Sequence, residues 1–341
     1  MKSIIRLLLA ITLLMSVPSF SWAKTRLVVN CFWPPKHFMC RSILPTWIKW
    51  VEEATEGRVT GIIPPKSLAP PPEQWNSVVK GVADVAPQFN GLVQNRIQGP
   101  LVAMNMFIGS DDAPAMSQAL WETHLKYFPD EFQGVKYLSG WVITPGLIWS
   151  QTDEPILSVA ELAKRKIWTL PGPPARLLKS IGSNPVAGPA VQANEIISRK
   201  VVDGFIVLSP NSVDVFQLAP YTKSGTVFKK GMYTTSFSLL MNEDKWNGIS
   251  KKDQEAIMAV SGSKFGRMAS QHWVDRDGGS LKKITKDGKI KMYEAPAEFE
   301  NELKKQAAKI TAGWIKKAGS KGIDSKAALD FYIKRVNELS K

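Results

Sequence analysis

The chain has 341 residues, of which 44% are hydrophobic and 22% charged, and 44 Lys and Arg against 30 Asp and Glu give a formal net charge of +14. This length can hold two lobes with separate cores, and the composition is that of a globular protein. The basic residues are spread along the chain and form no stripe interleaved with aromatic residues. The charge therefore favours a solvated basic surface over nucleic-acid binding. Attraction to an anionic membrane surface or an acidic partner stays open.

Residues 1–23 have the three parts of a secretory signal peptide. A basic start at 1–6 is followed by an apolar run at 7–17 and a small-x-small end at 21–23. We expect cleavage after Ala23. No later segment approaches the roughly 20 apolar residues of a membrane span. The sequence therefore predicts an exported, soluble mature protein in the periplasm.

The first part of the chain alternates between the two types of hydrophobic periodicity. It predicts strands at 25–31, 59–63 and 82–87, and helices at 39–55 and from near Glu73 to Gly81. A helix at 113–127 and a strand at 135–144 follow. The Thr144-Pro145-Gly146 turn is a candidate hinge, from which a strand at 147–150 would start a second lobe.

The stretch 159–211 predicts a largely parallel sheet. Helices at 159–164, from about 173 to 181 and at 190–199 separate strands at 167–170, 184–186 and 201–208. Strands joined by helices form right-handed crossovers, and ligands bind at the carboxyl ends of such strands. Trp168, Phe205 and Val207 lie near those ends, so we look for the site there.

The last part of the chain predicts one strand that returns to the first lobe and several helices. The strand is at 233–242, and a capping box of Ser250 and Asp253 opens a long helix through about Trp273. A short strand at 289–293 and helices at 297–318 and 325–339 follow.

The lobe boundaries are then 24–144 with about 232–272 for the first lobe, and about 145–231 with part of the C-terminal region for the second. The C-terminal helices occupy about 297–341.

The only two cysteines, Cys31 and Cys40, flank a Pro-Pro turn. In an oxidising compartment they can form a disulfide, or they can remain two unconnected buried thiols. The three histidines, His37, His124 and His272, are scattered without the spacing of zinc ligands. We expect no metal and no cofactor.

Several stretches together resemble the extracytoplasmic substrate-binding proteins of tripartite ATP-independent periplasmic (TRAP) transporters. The stretches are PPKHFMCRSILPTWIKWVEEATEGRVTGIIPPKSLAPPPEQWNSVVKGVADVA at 34–86, SVAELAKRKIW at 158–168, SNPV at 183–186 and VVDG at 201–204. The resemblance implies an α/β, two-lobed, type II-like periplasmic binding fold with mixed sheets flanked by helices. A long helix would span both lobes, and a ligand cleft would lie between them.

The resemblance also implies function: such proteins deliver one small molecule to the membrane subunits of a TRAP permease and do no chemistry. The sequence agrees, because it contains no G-x-S-x-G, Walker or G-x-G-x-x-G motif. The chain is expected to be a monomer that binds a small organic ligand and no nucleic acid. A sensory binding protein, or a periplasmic enzyme on the same fold, is the alternative.

The chain departs from this family where the family binds its ligand. Trp168 stands where most members have an arginine that grips the ligand carboxylate, and Ile148 stands at a second position that is often arginine. The family's polar Gln-Glu-Asn after Val-Asp-Gly is replaced by Phe205, Ile206 and Val207. Trp168 can be a core residue instead. Taken together, these changes make the usual dicarboxylate improbable, because the charge pair that anchors it is missing.

Two ligand hypotheses remain open. One is a small apolar or aromatic molecule that stacks on Trp168, Trp149 and Phe205. The other is an amine held by aromatic faces, with Glu73 as the candidate counter-ion, although Glu73 also fits a helix N-terminal charge. Further candidate ligand residues by family position are Trp33, His37, Gln88, Phe89, Asn90 and Asn211.

Overall fold

A computed structural model describes residues 24–340 of the chain. The predicted signal peptide and its cleavage site lie outside the described residues. Eleven strands occur within the described range. They are β1 (Thr25–Val28), β2 (Val59–Ile62), β3 (Val85–Phe89), β4 (Val135–Val142), β5 (Leu147–Ser150), β6 (Ile167–Thr169), β7 (Val186–Ala187), β8 (Gly204–Leu208), β9 (Ser224–Val227), β10 (Ser236–Asn242) and β11 (Lys291–Glu294).

Twelve α-helices accompany the strands between residues 24 and 340. They are α1 (Leu44–Ala54), α2 (Gln74–Val79), α3 (Ala113–Tyr127), α4 (Val159–Lys164), α5 (Pro173–Ser180), α6 (Ala193–Ser198), α7 (Pro210–Val215), α8 (Glu243–Asn247), α9 (Lys251–Ala259), α10 (Gly262–Thr285), α11 (Ala297–Gly319) and α12 (Ser325–Leu339). A π-helical turn at Met39–Ile43 leads into α1. Short 3-10 turns precede α2 and α6.

One lobe contains the first four strands of the chain, β1 to β4, and one strand from much later in the sequence, β10. β1 and β2 pair in parallel, and a single parallel bridge between Val29 and Val85 joins them to β3. β10 lies between β3 and β4 and is antiparallel to both. We call β1 to β4 with β10 the first lobe. Its register sets Phe237 between Phe89 and Trp141, so three aromatic side chains form one row across the sheet.

The second lobe is a six-stranded sheet in the order β11-β9-β5-β8-β6-β7. β6 is parallel to both β7 and β8, as the sequence predicts, whereas β5 runs antiparallel to β8 and β9. Residues 144–146 connect β4 of the first lobe to β5 of the second. The predicted fold class, an α/β protein of two lobes with mixed sheets flanked by helices, is confirmed.

The long helix of the fold is α10. It packs against α3 and β4 of the first lobe and against α7, which follows β8 of the second lobe. The prediction of one helix from Ser250 to about Trp273 is wrong in its bounds. The chain forms α9, breaks at Val260 and Ser261, and starts α10 at Gly262, whose φ of 49° brings its backbone against the Trp121 ring. The predicted cap is present, since the Ser250 hydroxyl accepts a hydrogen bond from the Asp253 N–H at 3.2 Å.

Three elements were not predicted, and one strand is displaced. β9 contains Gly225, which weakens a strand pattern, and α7 and α8 are too short for a clear helical period. The strand predicted at 82–87 begins at Val85 instead. The N–H groups of Val82 and Ala83 both donate to the Ser77 carbonyl, so these residues close α2 before the strand starts.

Cys31 and Cys40 are joined by a disulfide, with their Cα atoms 5.7 Å apart. Of the two interpretations of these cysteines, the structure has the bridge. Between residues 24 and 340, no helix is both long enough and apolar enough to cross a membrane.

Candidate functional site

A cavity lies between the two lobes. From the first lobe and the loop after β1 it is lined by Phe32, Trp33, His37, Phe89, Thr235 and Phe237. From the second lobe it is lined by Leu170, Val191, Val207, Leu208, Ser212 and Phe216. Trp273 of α10 completes the wall. The lining is almost entirely aromatic and aliphatic, and it includes no Lys, Arg, Asp or Glu side chain of the described chain.

Four aromatic side chains pack into one surface that we call the aromatic wall: Trp33, Phe89, Phe237 and Trp273. Phe237 is central, with ring centroids 5.4 Å from Trp33, 5.7 Å from Phe89 and 6.4 Å from Trp273. Trp33 and Trp273 are 6.4 Å apart, edge to face. The wall brings together residues of β3, β10, α10 and the loop after β1. Such a surface offers broad contact to a flat apolar molecule.

The loop that carries Trp33 and His37 is held in a fixed conformation. The disulfide between Cys31 and Cys40 encloses it, and the His37 N–H donates to the Pro34 carbonyl at 2.7 Å. Pro34 and Pro35 restrict the backbone within this closed loop. Trp33 and His37 are therefore positioned by the local sequence before any ligand enters.

His37 is a neutral imidazole at the edge of the aromatic wall. Burial, with a smaller contribution from the nearby charge of Arg276, lowers the pKa of His37 from 6.5 to about 3. Its Nδ1 accepts a hydrogen bond from the Met39 N–H at 3.1 Å. A neutral imidazole that accepts at Nδ1 carries its proton on Nε2, so His37 has one ring N–H donor left.

The opposite wall contains a strained backbone position. Val207 has a φ of 66°, which is unusual for a β-branched residue. In the pairing of β5 with β8, Leu147 faces Leu208 and Ile148 faces Ile206, so Val207 is the bulged residue. Strained residues of this kind concentrate at functional sites, and Val207 lines the cavity.

Four of the predicted ligand residues line the cavity: Trp33, His37, Phe89 and Val207. Phe89 reaches it because neighbouring side chains of a strand point to opposite faces. Gln88 and Asn90 point the other way, into structural hydrogen bonds. Gln88 accepts from the Trp75 N–H at 2.9 Å, and Asn90 accepts from the Ser238 hydroxyl at 2.7 Å.

The predicted residues of the six-stranded sheet form a buried layer, and they are not among the lining residues. Trp149, Phe205 and Trp168 are in register on adjacent strands, and each is fully buried, as is Ile148. Trp149 donates its Nε1–H to the Leu208 carbonyl at 2.8 Å. Leu170, two residues after Trp168, lines the cavity instead.

Glu73 and Asn211 lie outside the cavity lining. Glu73 is exposed and accepts a hydrogen bond from the Asn76 amide at 2.8 Å. Asn211 is bound to α10, because its N–H donates to Asp277 at 2.8 Å and its side-chain amide donates to Ser280 at 3.1 Å. Both side chains have structural partners.

Sequence reasoning missed Trp273, Phe237 and Phe216 as cavity residues. Trp273 and Phe237 lie more than 200 residues after Trp33, and only the packing of α10 and β10 brings them together. One sequence signal could have found Trp273. It lies on the helix predicted to span both lobes, so its side chain could face the cleft between them. Within residues 24–340, His, Cys, Asp and Glu side chains form no group of three or more that could hold a metal ion.

The model of the bacterial extracellular solute-binding proteins of family 7 (DctP) matches residues 29–317. The chain therefore belongs to this family. It is 33% identical over 330 residues, 96% of both chains, to a protein of Comamonas testosteroni named outer membrane transporter protein TsaT. The resemblance to TRAP substrate-binding proteins is confirmed by this family match and by solved structures.

Two solved TRAP solute-binding proteins have closely similar folds. One, from Bordetella bronchiseptica, has bound (R)- and (S)-mandelate; it is 27% identical with a TM-score of 0.86, and the alignment covers 92% of this chain and 99% of that one. The other, from a marine metagenome, is in complex with metahydroxyphenylacetate. It is 23% identical with a TM-score of 0.85, and the alignment covers 93% of this chain and 100% of that one. At 23% identity, the similarity to the marine metagenome protein shows a shared fold and nothing further.

Proposed function

We propose that the mature protein captures a small aromatic molecule in its interlobe cavity and delivers it to a TRAP permease in the membrane. The observation that carries this proposal is the aromatic wall, in which four rings from separate parts of the chain border one cavity.

The charge of the lining restricts the ligand. A dicarboxylate would bring two charges into a cavity whose lining includes no cationic side chain of the described residues. Each buried charge without a partner of opposite charge costs several kcal/mol, about 3 to 5 in typical cases, so a second carboxylate adds to the cost of the first. An amine would find aromatic faces but no lining carboxylate, since Glu73 is exposed elsewhere. A ligand with an aromatic ring and at most one charged group fits better.

The mandelate found in the Bordetella bronchiseptica protein supports this ligand class. Mandelate carries one phenyl ring, one hydroxyl and one carboxylate. That protein is 27% identical to this chain over nearly its full length. We propose that Trp33, His37, Phe89 and Val207 contact the ligand, and that Trp149, Phe205 and Trp168 support the cavity from the layer beneath.

The signal-peptide pattern at the N-terminus supports export of the protein, and its family supports delivery of the ligand to a permease. We propose that residues 1–23 direct the chain to the periplasm and are removed there, and that the chain binds its ligand as a monomer without transforming it. Membrane subunits of a TRAP permease would then receive the ligand.

A thermal-shift experiment on the mature protein tests the ligand class. Mandelate, hexahydromandelate and malate share a 2-hydroxy acid and differ in carrying a phenyl, a cyclohexyl or a carboxymethyl group. Mandelate at about 100 times its dissociation constant should add about 2.7 kcal/mol of stability. Hexahydromandelate should stabilise the protein less, because it lacks the aromatic face, and malate should have no effect.

The control is Ala190→Trp, which fills the cavity from a half-buried lining position. It should fold and lose the response to mandelate. Stabilisation by malate, or an unchanged mandelate response in Ala190→Trp, would contradict the proposal.

A further inference from the structure

Three of the residues that line the cavity carry a ring N–H donor: Trp33 and Trp273 at Nε1, and His37 at Nε2. None of these nitrogens donates to an acceptor among residues 24–340. Three other indole nitrogens, those of Trp47, Trp149 and Trp314, have acceptors at 2.8 to 3.1 Å.

The three donors also differ from the unpartnered indoles of the core. Nε1 of Trp141 and Nε1 of Trp168 lack acceptors and are completely sealed by packing. The nitrogens of Trp33, His37 and Trp273 are not sealed in this way, although their residues are buried. A buried residue that lines a cavity and keeps an accessible, unpartnered donor has a hydrogen bond to offer to a ligand there.

The three rings are close enough to act on one group. Their centroids form a triangle with sides of 5.6 Å between Trp33 and His37, 6.0 Å between His37 and Trp273, and 6.4 Å between Trp33 and Trp273. The three donor-bearing rings therefore lie around one part of the cavity. Hydrogen bonds from N–H groups to an ionised acceptor are about twice as strong as those between neutral groups.

A cation stands behind this triangle without lining the cavity. Arg276 follows Trp273 by three residues on α10, so both side chains lie on the same side of the helix. Its guanidinium carbon is 5.2 Å from the centre of the Phe38 ring, and that ring stacks on His37 at 4.2 Å. Arg276 thus supplies positive potential to the triangle, and its charge contributes to the lowered pKa of His37.

We propose that the N–H groups of Trp33, His37 and Trp273 bind the carboxylate of an aromatic monocarboxylic acid. The inference rests on the proposed function, which requires only an aromatic ligand, and adds how the acid group is recognised. The three donors are neutral, so they stabilise one carboxylate by hydrogen bonding, and Arg276 contributes charge at a distance. A second carboxylate on the same ligand would find no comparable donors.

The test uses variants that remove a ring N–H donor and keep an aromatic side chain at the position. Trp33→Phe, Trp273→Phe and His37→Phe are titrated by calorimetry with mandelate and with its neutral amide, mandelamide. Each variant should bind mandelate about tenfold more weakly than the wild type, since a hydrogen bond to a charged group is worth roughly that factor. Binding of mandelamide should change by less than about threefold. Trp50→Phe, a half-buried tryptophan outside the cavity, should change neither.

The outcomes separate this inference from the proposed function. If the wild type binds neither compound, the result contradicts both the proposed aromatic ligand and the proposed role of the three N–H groups. The wild type could bind mandelamide as tightly as mandelate, or the variants could lose affinity for both ligands equally. Either result would contradict only the proposed role of the three N–H groups. Should Trp273→Phe fail to fold, Trp33→Phe and His37→Phe give the same decision.

Discussion

Gly146 lies directly against the backbone of Val207. A Cβ atom at position 146 would be 2.2 Å from the Val207 carbonyl carbon and 2.3 Å from its oxygen, so no side chain fits there without moving β8. This contact joins the connection between the lobes to the bulged residue of the cavity wall. Val207 keeps its φ of 66° in this setting.

Gly146→Ala should therefore destabilise the protein and weaken ligand binding. Overpacking against a backbone usually costs about 1–3 kcal/mol, and a shift of Val207 would also change the cavity wall. Urea unfolding measures the first effect and calorimetry with mandelate the second. The matched control is Gly313→Ala, in the middle of α11 with no atom within 4 Å of the new Cβ. That change should stabilise the protein by about 0.5–1 kcal/mol. Equal stability of the two variants would contradict the contact.

Trp168→Ala should act mainly on stability. Trp168 is fully buried in register with Phe205, so its removal should lower the unfolding free energy by about 3–5 kcal/mol. Trp168→Phe should lower the unfolding free energy by less, because it also deletes an indole N–H that has no acceptor. If Trp168→Phe weakened mandelate binding as much as Trp33→Phe while leaving stability intact, Trp168 would be a direct ligand contact instead.

Binding of mandelate should be nearly independent of pH between 5 and 8. His37 is neutral throughout this range because its pKa is about 3, so its Nε2–H is present at every pH tested. Calorimetry at four pH values in this range measures the affinity. An affinity that rises about tenfold per unit as the pH falls below 6.5 would mean that His37 binds the ligand as an imidazolium.

Acid should destabilise the fold through His124. Burial, with a smaller contribution from the charge of Lys136, lowers the pKa of His124 from 6.5 to about 4 in the folded protein. Between these values the unfolded chain binds the proton and the folded chain does not, so stability present above pH 6.5 is lost as the pH falls toward 4. The loss from this residue should reach about 3 kcal/mol.

The measurement is urea unfolding at pH 7 and pH 4 for the wild type and for His124→Phe, whose ring fits among Trp121, Phe132 and Tyr137. The difference between the two proteins should shrink or change sign in favour of the variant at pH 4. Parallel pH profiles would show that His124 does not titrate in this way.

Local sequence signals were sufficient for elements with clear caps and regular periods. α3, β5 and α4 have the predicted bounds, and Asp112 and Ser158 cap the two helices as N-terminal acceptors. The break between α9 and α10 was not predictable from periodicity alone. It falls at Ser261-Gly262, a dipeptide typical of turns, and Gly262 has a φ of 49°.

The candidate site was predictable in its location and only partly in its members. Trp33, His37 and Phe89 follow strands at the expected edge, and the structure has them at the cavity. The in-register row of Trp149, Phe205 and Trp168 lies one layer deeper, because the residues that reach the cavity from this sheet are nearer the strand ends, such as Leu170 and Leu208. Trp273 and Phe237 depend on the assembly of both lobes, which no local pattern encodes.

The central claim is that the cavity binds an aromatic molecule with at most one charged group. Calorimetric titration of the mature wild-type protein with mandelate and with malate tests it most directly, because the two 2-hydroxy acids differ only in a phenyl against a carboxymethyl group. Mandelate should bind saturably, and malate should give no measurable heat of binding. Tighter binding of malate than of mandelate would contradict it.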